Sequence, residues 1–181
     1  DNILRRNGLK IFSVDNLSVH GGSNRIYVSH IDGGTVGDSV RHNINEEMVF
    51  GLDQFQTYEI FAERVKESKE VLYRKLSNLK HNGKEIMCIG ATAKSTTVFN
   101  YCGIGSDLID VITDTTKDKQ GMYSPGVHIP VVSRDSINLN DYDYAYLGAW
   151  NFKDVIANKE REFVENGGQF ITHVPQVMSF S

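Results

Sequence analysis

The stretch from residue 84 onward predicts an α/β fold with a mainly parallel sheet. Short apolar runs alternate there with segments of helical length, the pattern of strand–helix–strand units. The runs are apolar throughout rather than alternating, as strands covered on both faces are. Small-residue turns follow several of them, which is where an open α/β sheet places its ligand site.

The elements can be justified in order. Ile3 and Leu4 precede Arg5 and Arg6, with Gly8 where a helix C-cap glycine stands, so a helix end is expected first. Ile11, Phe12 and Val14 form a short strand bounded by Asp15 and Asn16. After His20-Gly21-Gly22-Ser23, the β-branched and aromatic run Arg25-Ile26-Tyr27-Val28 predicts a second strand. Two strands make no stable sheet alone, so residues 1–31 are expected to belong to a larger one. Residues 32–52, rich in Gly, Asp, Asn and Ser without a clean period, are expected to be a linker.

A long helix is predicted over 53–82. Phe55, Tyr58, Phe61, Val65, Leu72, Leu76 and Leu79 recur at helical spacings and give one apolar stripe. Asn82-Gly83 ends it as a left-handed cap would. The α/β domain follows over 83–177. Its expected elements are a strand at 85–90, a helix through Tyr101, a strand at 108–112, another at 142–147, a helix at 152–166 and a strand at 169–172.

Composition narrows the function classes. The chain has 181 residues, 40% of them hydrophobic, and a net charge of −4. That suffices for one sizeable core plus an appendage. Lys and Arg are scattered, so no basic patch suggests nucleic acid as a partner. No apolar run approaches the roughly 20 residues needed to cross a bilayer, and no signal-peptide pattern is present. Cys88 and Cys102, the only cysteines, lack metal-like spacing and sit among apolar or small residues, so neither a metal site nor a disulfide framework is expected. A cytoplasmic location follows as the expectation. The chain starts at Asp1 in a segment of helical appearance, which suggests a piece of a longer protein.

Candidate chemistry lies at the strand ends. In Gly90-Ala91-Thr92-Ala93-Lys94-Ser95-Thr96 a small-residue turn opens a helix whose free N–H groups, with Lys94 and the Ser95 and Thr96 hydroxyls, suit a phosphate. The alternative is an ordinary turn with Ser95 or Thr96 as the cap. Asp114 lies about 20 residues further on, where a dinucleotide-binding fold keeps its ribose-binding acid, although Asp is also a common turn residue. The Pro125-Gly126 and Ile129-Pro130 pairs predict a stiff loop able to wall a pocket, with His128 facing solvent. Trp150 and Asn151, at another strand end, could stack on and hydrogen-bond a ring, or serve as packing residue and helix cap. His20, beside two glycines, is the one acid–base candidate for catalysis, and an exposed turn histidine is the competing reading. No nucleophile–His–Asp order or carboxylate pair accompanies it.

Taken together, the runs GATAKSTTVFNYCGI, DLIDVITD, KQGMYSPGVHIPV, AWNF and GGQFITHVP resemble the carboxy-terminal domain of sugar C-methyltransferases. The upstream run NGLKIFSVDNLSVHGGSNRIYVSH resembles the end of the methyltransferase domain in the same family. The resemblance implies a Rossmann-like three-layer domain preceded by a long helix and a two-strand remnant of a methyltransferase domain. It implies a parent enzyme that uses S-adenosylmethionine to methylate a carbon beside a ketone in a nucleotide-linked deoxysugar. A base removes the acidic proton there, and the enolate attacks the sulfonium methyl. The family's zinc-binding Cys cluster, Gly-rich cofactor loop and Glu-His pair would all lie before residue 1, so S-adenosylmethionine is expected to be bound mostly outside this chain, and the chain alone is expected to be inactive. Its expected partners are the upstream methyltransferase domain and a nucleotide-sugar. Lys94, Asn100, Tyr101, Lys119, Gln120, Trp150 and Asn151 are implied to line the sugar-nucleotide side. The family places Gly where this chain has Ser95. A stand-alone NAD- or CoA-type binding module is the alternative in another class, and the lack of GxGxxG argues against it.

Overall fold

The computed structural model describes residues 1–181, which divide into two compact units, residues 1–63 and 64–181.

In the first unit a single helical turn, α1 (Asn2–Arg5), leads into β1 (Leu9–Leu17), which pairs antiparallel with β2 (Ser23–His30). The expected linker at 32–52 is mostly helix instead: α2 spans Asp38–Phe50. Its apolar residues, Ile44, Met48, Val49 and Phe50, do not form one stripe, and only Val40 is buried, so periodicity gave no signal. Its ends did carry one. Asp38 favours the first turn, and Gly51 closes the helix in the left-handed conformation at φ 82°. The long helix α3 (Phe55–His81) then begins, and the division between the units falls within it.

The second unit holds the remainder of α3 and a six-stranded sheet in the order β5-β4-β3-β6-β7-β8. Its strands are β3 (Ile86–Ile89), β4 (Val111–Thr113), β5 (Val131–Val132), β6 (Tyr144–Leu147), β7 (Gln169–Thr172) and β8 (Met178–Phe180). The first five run parallel, and β8 is an antiparallel edge. Strand alternation builds the core. Ile86 and Cys88 pack with Leu72 and Leu76 of α3 and with Phe99 of α4 (Ala93–Cys102), while Met87 joins Phe163 of α6 (Arg161–Glu165). The result is a Rossmann-like α/β architecture.

Two local differences from the expected elements have physical causes. The strand expected at 108–112 shrinks to β4 because the Leu108 and Ile109 N–H groups close a turn on the Gly105 carbonyl. The helix expected at 152–166 breaks into α5 (Lys153–Lys159) and α6 at Glu160, whose backbone is non-helical and whose buried carboxylate is held by Arg134 at 2.7 Å. The end of α3 follows expectation, with Gly83 at φ 72° and the Lys84 N–H returning to the Leu79 carbonyl.

Candidate functional site

The turn between β3 and α4 is built from its own hydroxyls. Thr92 caps α4 by accepting from the Ser95 N–H at 3.0 Å, and Ser95 Oγ accepts in return from the Thr92 N–H at 3.0 Å. Ser95 is buried, and its hydroxyl also donates within the turn to Gly90 and Thr92 carbonyls. Ser95, one of the expected ligand contacts, thus holds the N3 position of a capping box whose N-cap is Thr92. Thr92 Oγ1 donates onward to the Gly148 carbonyl at 2.8 Å, fastening the turn to the end of β6.

That fastening ties the turn after β3 to the end of β6, where the strand order reverses, beside a depression of about 220 Å³ lined by Gly90, Thr92, Asp114, Ala149 and Phe152. A Cβ on Gly148 would lie 2.3 Å from the Gly90 carbonyl oxygen, so the two turns touch backbone to backbone. Asp114 is spent in the same way. Its Oδ2 accepts from the Ala91 N–H at 2.9 Å and from Lys119 at 3.1 Å, and its Oδ1 accepts from the Thr116 N–H at 2.8 Å. Burial alone would raise its carboxyl, but the bonds from Thr116 and Lys119 outweigh it and hold the group below the ordinary range. Asp114, the expected ribose contact, braces two turns and lines the depression at the switch point. Gln120 extends the brace by donating to the Asp114 carbonyl at 2.9 Å.

A pocket of about 530 Å³ opens beside this braced turn. One side is α4's first turns, with Ala93, Thr96 and Thr97, and the other is the loop carrying Lys119, Met122, Tyr123 and Pro125. The Ala93 and Lys94 N–H groups have no acceptor within the protein, as expected for a helix start. Lys119 gives one N–H to the Ala91 carbonyl at 2.8 Å and another to Asp114, leaving a third donor. The loop is stiffened by Asn100, whose side-chain amide joins the Thr96 and Pro125 carbonyls, and Asn100 packs so closely on Gly126 that a side chain there would collide. Met122 and Tyr123, both exposed at the pocket, belong to the loop expected to form a wall.

The other expected residues gather elsewhere. Lys94 bonds Asn151 Oδ1 at 3.0 Å and lies 5.8 Å from the Trp150 ring centre, so these three form one cluster. The Asn151 side-chain nitrogen is buried without a partner. Tyr101 is exposed with Lys69 over its ring. His128 is exposed as expected. His20, in the first unit, sits exposed in the turn between β1 and β2 at φ 57° and makes no hydrogen bond or ion pair. Periodicity offered no sign of a buried pair between the Tyr146 hydroxyl and His173 Nδ1, 2.7 Å apart. No cluster of His, Cys, Asp and Glu could hold a metal ion, and no helix is long and apolar enough to cross a membrane.

The α/β domain thus carries a pocket beside its first helix and a smaller depression at its switch point. Residues 18–175 match the model of the C-methyltransferase C-terminal domain, and the chain belongs to that family. It is 31% identical over 175 residues to the C-methyltransferase NovU of Streptomyces niveus. That match covers 96% of this chain but 42% of NovU, so the chain spans about two fifths of the length of that relative.

Proposed function

We propose that this domain is the substrate side of an S-adenosylmethionine-dependent C-methyltransferase acting on a nucleotide-linked keto-deoxysugar. The observation that carries the reading is the pocket beside α4, where unpaired N–H groups and Lys119 face one another across a mostly apolar floor. Unpaired helix N–H groups and a cation suit a diphosphate. Tyr123 and Met122 offer a flat and a soft surface to a base or sugar ring. The expected positions Lys94, Trp150 and Asn151 stand at the next strand end, with an Asn151 donor left over for a ligand carbonyl.

The residues of this chain do not fit the methyl donor. The turn after β3, Gly90-Ala91-Thr92-Ala93-Lys94-Ser95, is not a Gly-rich cofactor loop. In this reading S-adenosylmethionine and the proton-abstracting base belong to polypeptide outside these 181 residues, and the chain alone binds and orients. The lack of GxGxxG, with Asp114 committed to the Ala91 and Thr116 N–H groups, disfavours the NAD- or CoA-type module. Two free buried cysteines suit a reducing, cytoplasmic compartment.

Calorimetric titration of the complete polypeptide with a panel of nucleoside diphosphates tests this. Ala93→Glu places an anion in the pocket at a helix position that tolerates one, so it leaves folding intact. It should weaken binding about tenfold or more, and Lys94→Ala should weaken it by a similar factor. Affinity unchanged in Ala93→Glu would remove the pocket from the reading, and unchanged affinity in Lys94→Ala would remove that lysine.

A further inference from the structure

In the first unit Val40 is the one buried hydrophobic side chain, 5% exposed, among 63 residues. A two-stranded sheet and one helix with so small a core are not stable in water by themselves. The apolar side chains are nevertheless present, and they are on the outside. Val49, Phe50 and Leu52 at the end of α2 are exposed, as are Phe55, Tyr58, Ile60 and Phe61 at the start of α3, with Val49 at 82% and Phe55 at 77%. Ile44, Met48 and Leu52 line one depression of about 220 Å³, and the Tyr58 hydroxyl donates to the Leu52 carbonyl at 2.6 Å, so the helix end, the turn and the next helix start form one connected surface. Soluble proteins seldom leave so many large apolar groups uncovered together unless a partner covers them.

We infer that this face of α2 and early α3 is an interdomain contact, covered by an apolar face of the methyl-transferring part of the same polypeptide. The inference rests on the substrate-side reading above and adds to it the surface through which the two parts meet. One fact selects this occupant. The C-methyltransferase relative is more than twice as long as its match to this chain, so residues beyond these 181 are available to supply the cover. A second copy would have to pair this same face with itself, and sedimentation separates that outcome.

The test places Phe55→Glu and Phe61→Glu together in the 181-residue chain and in the complete polypeptide encoded by its gene. The isolated chain should sediment as a monomer and melt within about 1 °C of its parent, because exposed sites tolerate such changes. The complete polypeptide should lose about 4 °C or more of melting temperature, and amides 44–61 should lose protection from hydrogen exchange. An unchanged melt and unchanged exchange in the complete polypeptide would overturn the inference. So would an isolated chain that sediments as a dimer and is dissociated by the substitutions, since a second copy would then be the cover. Neither readout uses a ligand, so a failure here is distinct from a failure of nucleotide binding.

Discussion

In the second half of α3, Leu72 and Leu76 are buried among Phe99, Tyr146 and Ile171; in the first half, Phe55 and Phe61 stand in solvent. The apolar spacing is the same along both halves. What differs is the cover: the second half lies on a sheet and a helix within its own unit, and the first half has nothing within its unit to bury it. Periodicity therefore specifies which face of a helix is apolar, while burial, and with it the stabilisation of about 25 cal/mol per Å², depends on what else the chain supplies.

Substitution along the helix should separate the halves most strongly. Leu76→Ala removes a fully buried side chain and should cost about 2–5 kcal/mol. Phe61→Ala in the same 181-residue chain removes a larger group from solvent and should fall within about 0.5 kcal/mol of the parent. Chemical denaturation of both variants reads the contrast directly. A loss at Phe61 as large as that at Leu76 would mean that the first half is already covered.

The same division explains what was legible beforehand. Buried strands such as Ile86–Ile89 and Gln169–Thr172 were readable because each is a short apolar run with a turn behind it, and the mainly parallel sheet followed from their alternation with helices. The helix Asp38–Phe50 is not readable, since Val49 and Phe50 blur the four-residue spacing of Val40, Ile44 and Met48, although Gly51 marks its end. The helix expected at 152–166 was readable in kind but not in its break, because the cause is a tertiary ion pair between Glu160 and Arg134, distant in sequence. At the site, the braced turn was legible as small residues and hydroxyls. Which hydroxyls face a ligand was not, because Ser95 and Asp114 are spent on backbone groups that only the folded chain brings near.

Capping gives an intermediate effect that sharpens the contrast. Thr92→Ala removes the acceptor for the Ser95 N–H and the donor to the Gly148 carbonyl, so it should destabilise by about 1–2 kcal/mol. No comparable side-chain cap holds α2 or α1, where neither N-cap side chain bonds a helix N–H. Replacing their N-cap residues, Gly37→Ala or Asp1→Ala, should shift the denaturation midpoint far less. Equal shifts would show that the first unit is as tightly closed as the second.

The smallest effect is a pH dependence that belongs to the second unit. His173 is partly buried beside Tyr146, and burial lowers its pKa from the ordinary 6.5. On acidification through 6.5 the unfolded chain takes up this proton before the folded one does. The stability tied to neutral His173 is thus full above that pH and is lost as pH falls toward the folded value. His173→Gln cannot take up the proton, so its melting temperature should fall less than the parent's between pH 7 and pH 5. A parent curve flat over that range, or one that His173→Gln leaves unchanged, would mean that the ring is solvated enough to titrate alike in both states. The interior of the second unit would then be looser around β6 and β7 than its packing implies, and the contrast with the first unit correspondingly weaker.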